Sequence, residues 1–452
     1  MSRPTRMHEF DPHLMGTVLG YVTERLALTE PPIDGLGDRE AMRAALEGLI
    51  GDGPRDPREV LDVYVDHLAD TIMSADSPRF LAFIPAAPTE ASLLFDMVVS
   101  AASLQGCSWL EAAGAVMAEN QALATLARIA GMPADAGGVF VSGGSAGNLS
   151  ALVVARDTAL RERGDQGGKF QVIVSDQSHS SIANALNICW MEPIVITTTD
   201  GRLTREELTR QLAGRDLSRV VAIVGTAGTT NAGIIDDLTA CADLATEHGW
   251  WFHVDGAYGG AGMLDDRVRP RYRGIERADS LVMDPHKWWF APFDSAALIY
   301  RDPRLARAVH TQDASYLDVI HTDDTELNPS DLAFHLTRRA RGMALWFSLA
   351  VNGLDAYRDA VRAAKDMARY AAECIDSTSG LELILDPDLS VVLFRVEGWS
   401  AEDYDSWSER LLREQIAFVT PSKWLGETVA RLAFLHPATS AEVVDEVLAT
   451  LQ

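Results

Sequence analysis

Short runs of apolar and β-branched residues recur through the middle of the chain, and five of them are each closely followed by one polar side chain: Ser145, His179, Thr230, Asp255 and Lys287. These runs, at 139–141, 171–175, 220–225, 251–255 and 280–283, with a sixth at 296–300, are continuous rather than alternating. Strands buried on both faces have that pattern. Stretches of helical spacing separate most of them, including 148–163 and 238–249. This order predicts an α/β fold around a mostly parallel sheet, because parallel neighbours need helical crossovers. Ligands of open α/β sheets bind at the carboxyl ends of the strands, so five polar side chains on that edge mark a candidate site.

The flanks have a different pattern. From residue 24 to about 75, Met42, Leu46 and Leu49 recur at helical spacing, with Val60, Val63, Val65 and Leu68 less regular, which predicts a helical N-terminal segment. The stretch 77–85 is too apolar for an exposed linker and is expected to lie against another part of the chain. Alanine-rich helices should fill 89–126, and a long helix starting beyond Asn328 should carry Arg338, Arg339, Arg341, Trp346 and Phe347. Strands at 389–396 and 430–435 and a helix at 440–451 predict a smaller α+β lobe. The expected division is a helical segment at 1–88, a large domain at 89–347 and a small domain at 348–452.

A net charge of −26 disfavours nucleic-acid partners, whose phosphates need clustered Lys and Arg. No run is apolar enough to cross a bilayer, and no apolar segment follows Arg3 and Arg6, so the cytoplasm is the expected location. Four scattered cysteines, Cys107, Cys189, Cys241 and Cys374, lack metal-ligand spacing; they are expected to be reduced thiols, and no metal site is expected.

Lys287 ends Asp284-Pro285-His286-Lys287 and is followed by Trp288, Trp289 and Phe290. Alone, such a lysine reads equally as a solvated surface group; the bulky neighbours argue for burial, which lowers an amine's pKa toward nucleophilic use. Asp255 closes Trp251-Phe252-His253-Val254 and precedes Gly256-Ala257, so it reads either as a cap or as a carboxylate facing a flat ring. Val141-Ser142-Gly143-Gly144-Ser145 is a glycine-rich strand-to-helix turn: a plain tight turn, or a phosphate cradle at a helix N-terminus. His179 is either a loop histidine satisfied by nearby hydroxyls or a ring stacked on a cofactor, and His286 is placed for proton transfer. A buried lysine with a buried aspartate is what holds pyridoxal phosphate as an imine, the aspartate keeping the pyridine nitrogen protonated.

The chain resembles the group II pyridoxal-phosphate-dependent amino-acid decarboxylases, which include aromatic-amino-acid and glutamate decarboxylases. The resemblance rests on Ser77-Pro78-Arg79-Phe80, Gly106-Cys107-Ser108-Trp109, Gly143-Gly144-Ser145, Ser178-His179-Ser180-Ser181, Gly228-Thr229-Thr230, His253-Val254-Asp255, Asp284-Pro285-His286-Lys287-Trp288 and Arg338-Arg339-Ala340-Arg341. It implies the fold-type-I, aspartate-aminotransferase-like architecture. It also implies a homodimer with active sites at the subunit interface and crossed N-terminal segments. Lys287 would be the Schiff-base lysine and Asp255 the partner of the pyridine nitrogen. His179 would stack on the ring, Gly144 and Ser145 would bind phosphate, Thr230 and Ala257 would flank the ring, and His286 would face substrate. Tyr316, in the polar stretch 310–328, matches the tyrosine of the family's mobile loop, implicated in protonating the intermediate.

The family's aromatic substrate walls are partly missing. Ala75, Ile84 and Cys107 stand at such positions, with Gln105 and Pro85 nearby, while Phe83 stays aromatic. A larger or more polar amino acid is therefore implied. The expected reaction is decarboxylation of an L-amino acid through an external aldimine and a quinonoid. Its rivals are oxidative deamination to an aldehyde, β-elimination such as C–S cleavage of a bulky conjugate, and a catalytically silent binding protein. Arg338, Arg339 and Arg341 are expected to tie helix to sheet through ion pairs.

Overall fold

The computed structural model describes residues 6–84, 87–164, 167–312 and 328–451. The N-terminal segment forms α1 (Pro12–Leu26), α2 (Arg39–Leu46) and α3 (Pro57–His67). Asp11, Asp38 and Asp56 start these helices, each carboxylate accepting N–H groups of the first turn. Of their residues only Thr17 is buried, and Leu14, Met15, Val18 and Leu19 of α1 face outward. The segment is anchored by Ile33, which packs with Phe80, Ala82 and Phe418. The apolar stretch after Ser77 does lie against another part of the chain. Leu81 donates its N–H to Phe418 O at 2.8 Å and accepts from Ala433 N at 2.9 Å.

Next come α4 (Glu90–Ala101), α5 (Trp109–Ala130), β1 (Gly137–Val141), α6 (Gly144–Arg163), β2 (Gln171–Ser175), α7 (Ser180–Ile188) and β3 (Glu192–Ile196). They are followed by α8 (Arg205–Leu212), β4 (Val220–Thr226), α9 (Leu238–His248), β5 (Trp251–Asp255), β6 (Ser280–Met283) and β7 (Ala296–Tyr300). The seven strands are ordered β1-β7-β6-β5-β4-β2-β3; β7 runs antiparallel to β1 and β6, and all other pairs are parallel. The fold is therefore α/β with a mostly parallel sheet. Every residue of β4, β5, β6 and β7 is buried, which is why these strands read as unbroken apolar runs.

Beyond α10 (Pro303–His310), the expected helix from Asn328 begins instead at Met343, as α11 (Met343–Ser377), kinked at Gly353 where φ is 73°. Arg338, Arg339 and Arg341 precede it in non-helical chain whose side chains are tied elsewhere. Arg338 Nη2 donates to both carboxylate oxygens of Glu119 of α5, at 2.7 and 2.8 Å, while Nε and Nη1 donate to Phe140 O and Gly106 O. Arg339 pairs with Asp96 of α4 at 2.7 Å, and Arg341 with Asp294 at 3.0 Å. The expected ion-pair role holds, although the arginines lie on the approach to the helix rather than on it.

The second sheet joins β8 (Leu381–Leu383), β9 (Val391–Val396), β10 (Ser422–Trp424) and β11 (Glu427–Ala433) in the antiparallel order β10-β11-β9-β8. Residues of α11, α12 (Ala401–Arg413) and α13 (Ala441–Ala449) close one core with it. Cys107, Cys189 and Cys241 are buried and Cys374 partly so, all as free thiols. No helix of the described residues is long and apolar enough to cross a membrane.

Candidate active site

A cleft of about 240 Å³ opens where β1, β2, β4, β5 and β6 end. Gly144, Ser145, His179 and Thr230 line it together with Asp255, Ala257, His286 and Lys287, so eight predicted site residues meet in one place. Pro85 and Tyr316 lie outside the described residues. Phe83, Ile84, Gln105 and Cys107 do not line this cleft. Phe83 is largely exposed with φ at 49°, and Ile84 packs at the edge of the main core. The Gln105 amide and the Cys107 thiol both bond the Glu111 carboxylate, at 2.9 and 2.6 Å.

Lys287 Nζ stands 2.9 Å from Asp284 Oδ2, and His286 Nε2 stands 3.4 Å from the same oxygen. Burial pulls the Lys287 amine down, but the carboxylate of Asp284 and, farther off, that of Asp255 outweigh it, so its pKa is raised overall. Desolvation alone predicts the opposite sign; Asp284 makes the difference. The Asp284 carboxyl, pushed up by burial, is held below its usual range by Lys287 and His286. His286 Nδ1 accepts from Ser295 N at 3.0 Å, which leaves the ring proton on Nε2, toward Asp284.

Asp255 ends β5, with Oδ1 accepting from Ala257 N at 3.1 Å and Oδ2 from Asn148 Nδ2 at 2.9 Å. Opposite it, α6 begins at the glycine turn, and among the described residues no side chain caps that end. An uncapped helix N-terminus in a cleft is an anion seat. A Cβ on Gly144 would stand 3.1 Å from the Ala257 Cβ and both Asp284 carboxylate oxygens, so a side chain there would have to push these groups aside. A phosphate seat, an amine and a carboxylate around one cleft fit pyridoxal phosphate.

The sequence pattern left several lining residues unassigned: Asn148, Ser181, Thr226, Tyr258 and Asp284. Thr226 Oγ1 is buried without a hydrogen-bond partner among the described residues. Arg431, on β11 of the second sheet, is also buried and donates to three carbonyls, those of Phe83, Thr230 and Asn231, at 2.8, 2.8 and 3.1 Å. Burial pushes its pKa down to about 10. It staples the Thr230 wall to the small sheet, a link that only the folded chain reveals.

Residues 40–397 match the family model described as the pyridoxal-dependent decarboxylase conserved domain. The chain belongs to this family. The aromatic-L-amino-acid decarboxylase of Bacillus atrophaeus is 28% identical over 435 residues, covering 93% of this chain and 90% of its own. The L-2,4-diaminobutyrate decarboxylase of Rhizobium meliloti (strain 1021) is 32% identical over 393 residues, covering 83% and 77%. Among solved structures, Oryza sativa TDC with PLP and tryptamine superposes with a TM-score of 0.90 at 24% identity, over 98% of both chains, a likeness of fold. The protein is thus a pyridoxal-phosphate-dependent carboxy-lyase of fold type I.

Proposed function

We propose that this decarboxylase removes the α-carboxylate of a large or polar L-amino acid, with Lys287 carrying the cofactor. The observation that supports this most directly is the meeting of Lys287, Asp255 and the uncapped glycine turn around one cleft. Bound pyridoxal phosphate supplies the sink for the electron pair left when the Cα–carboxylate bond breaks.

The chain's own groups have separable tasks. The turn at Gly144 and Ser145 seats the phosphate, Asp255 faces the ring nitrogen, and His179 covers the ring from the solvent side. Asp284 holds the lysine as an ammonium until the cofactor arrives, so the amine must give up a proton before it can attack an aldehyde. His286, with its proton on Nε2, and Tyr316 are the proton carriers for the product carbon. Gln105 and Cys107 lie away from this cleft, and we assign them, with Phe83 and Ile84, to the substrate wall of a homodimer. The outward-facing apolar residues of α1 support such a dimer. The helical, large and small parts divide at 1–88, 89–347 and 348–452, and the enzyme works in the cytoplasm.

The test is a panel of free and conjugated amino acids offered to the protein loaded with pyridoxal phosphate, with carbon dioxide, amine, hydrogen peroxide and pyruvate measured together. Carbon dioxide with an equal amount of amine is expected. Pyruvate without carbon dioxide means elimination, and aldehyde with peroxide means oxidative deamination; either result overturns the proposal.

A further inference from the structure

A chain of buried hydrogen bonds runs from behind the cleft into its lining and joins residues without a task in the proposed chemistry to Asp255 and His179. Trp251 and His253 on β5, Ser280 on β6, Asn148 on α6 and Ser181 on α7 are each at most 8% exposed. Trp251 Nε1 bonds Ser280 Oγ at 2.7 Å, Ser280 Oγ bonds His253 Nδ1 at 2.8 Å, and His253 Nε2 bonds Asn148 Oδ1 at 2.8 Å. Asn148 Nδ2 then forks, to Asp255 Oδ2 at 2.9 Å and to Ser181 Oγ at 3.0 Å. Ser181 Oγ bonds His179 Nδ1 at 2.8 Å.

With a neutral His253, one assignment of donors satisfies every link. The Asp255 carboxylate can only accept, so Asn148 turns its NH₂ group to it and its Oδ1 to His253 Nε2. With the ring proton of a neutral His253 on Nε2, Ser280 Oγ accepts from the indole N–H and donates to His253 Nδ1. The Asn148 NH₂ group thus faces both Asp255 and Ser181. The reverse amide orientation would set a carbonyl oxygen against a carboxylate. Ser181, accepting from Asn148, donates to His179 Nδ1 and so leaves the His179 proton on Nε2. Burial also favours the neutral His253 ring this scheme requires, pulling its pKa below the ordinary value.

We propose that Asn148 is a positioning residue shared by the two cofactor-facing groups: one amide orients Asp255 directly and His179 through Ser181, and the Trp251–Ser280–His253 chain sets the direction of that amide. This rests on the cofactor assignment made above. Asn148 holds one oxygen of the carboxylate so that the other edge is presented to the cleft. The same NH₂ group sets the direction of the Ser181 hydroxyl, which together with the Ser181 backbone N–H at 3.2 Å holds His179 Nδ1 as an acceptor. A buried network with every member satisfied specifies a single arrangement, whereas one missing link releases both ends.

The experiment measures the affinity of the cofactor-free protein for pyridoxal phosphate and the visible circular dichroism of the bound cofactor. It compares wild type with Asn148→Ala, His253→Phe, the double variant and His253→Gln. Borohydride fixation of the cofactor on Lys287 in the wild type is scored first; without it the cofactor assignment itself fails, a result distinct from those below. Given fixation, Asn148→Ala should weaken binding about tenfold, the scale of one lost hydrogen bond to a charged group, and should reduce the visible dichroism. His253→Phe should do likewise and add nothing in the Asn148→Ala background. His253→Gln, which keeps a donor and an acceptor, should recover most of the affinity. Near-wild-type affinity and dichroism in Asn148→Ala, or effects of the two substitutions that simply add, would overturn the proposal. If His253→Phe does not fold, Asn148→Asp decides: it keeps the shape but places an acceptor against Asp255, and wild-type affinity in that variant would overturn it equally.

Discussion

His335 offers a quantitative test of the electrostatics around the approach to α11. Its Nε2 is buried without a hydrogen-bond partner among the described residues. Burial first, then the positive charges of Arg338, Arg341 and His310, pull its pKa from 6.5 down to about 4. Above pH 6.5 the ring is neutral both folded and unfolded, and it contributes nothing to pH dependence. Below that value the unfolded chain takes up a proton that the folded one refuses, so stability falls with pH until about 4, where the folded ring also protonates. Between pH 7 and pH 5 the full shift corresponds to about 2 kcal/mol. The ring is partly open to water, and screening brings the expected contribution to about 1 kcal/mol. His335→Phe keeps a flat ring of similar size and removes the titration. Urea unfolding at the two pH values should therefore show the variant losing about 1 kcal/mol less stability than wild type on acidification. Equal losses in the two proteins would refute the reasoning.

Lys287→Ala should retain the fold but release no carbon dioxide and take up no borohydride-fixed cofactor, as read by intact mass. Tyr316→Phe should bind cofactor normally while product shifts from amine to aldehyde; unchanged amine output would show that this tyrosine is not the proton donor. Arg338→Met alone should cost about 3–5 kcal/mol in urea unfolding, because Glu119 is left buried without its cation. Adding Glu119→Leu should recover most of that loss. A double variant no better than the single would mean that the pair's worth lies in its bonds to Gly106 and Phe140.

The strands that hold the site were legible because they are buried on both faces. The predicted runs at 171–175, 251–255, 280–283 and 296–300 coincide with β2, β5, β6 and β7, and β1 and β4 extend theirs by two residues and one. The edge strand β3 was not legible: it opens with exposed Glu192 and Pro193, which carry no strand signal. β8 and β10, three residues each, are too short to show a period. The arginines before α11 belong to a segment whose conformation is set by Glu119, Asp96 and Asp294, far away in sequence. Asn148 escaped notice for a related reason. One turn into a helix it looks like any polar residue, and only the approach of β5 and α7 gives its amide three partners. The net sign of the Lys287 shift needed a distance, not a motif, since Asp284 had to fold back onto the amine.

The acid and the amine of the cleft stand on neighbouring strands, Asp255 at the end of β5 and Lys287 just past β6, with Asp255 in register with Val282. The backbone repeat sets the two strands about 4.8 Å apart, and the turn that follows β6, closed by Lys287 N donating to Asp284 O at 2.9 Å, brings the amine to the cleft. The sheet serves as a ruler whose graduations are peptide groups. Relatives sharing fewer than a third of their residues with this chain can swap one aliphatic for another on either face without moving a mark. A slip of one residue between these two strands, by contrast, would displace the amine by about 3.3 Å and turn its strand over, leaving the carboxylate facing nothing.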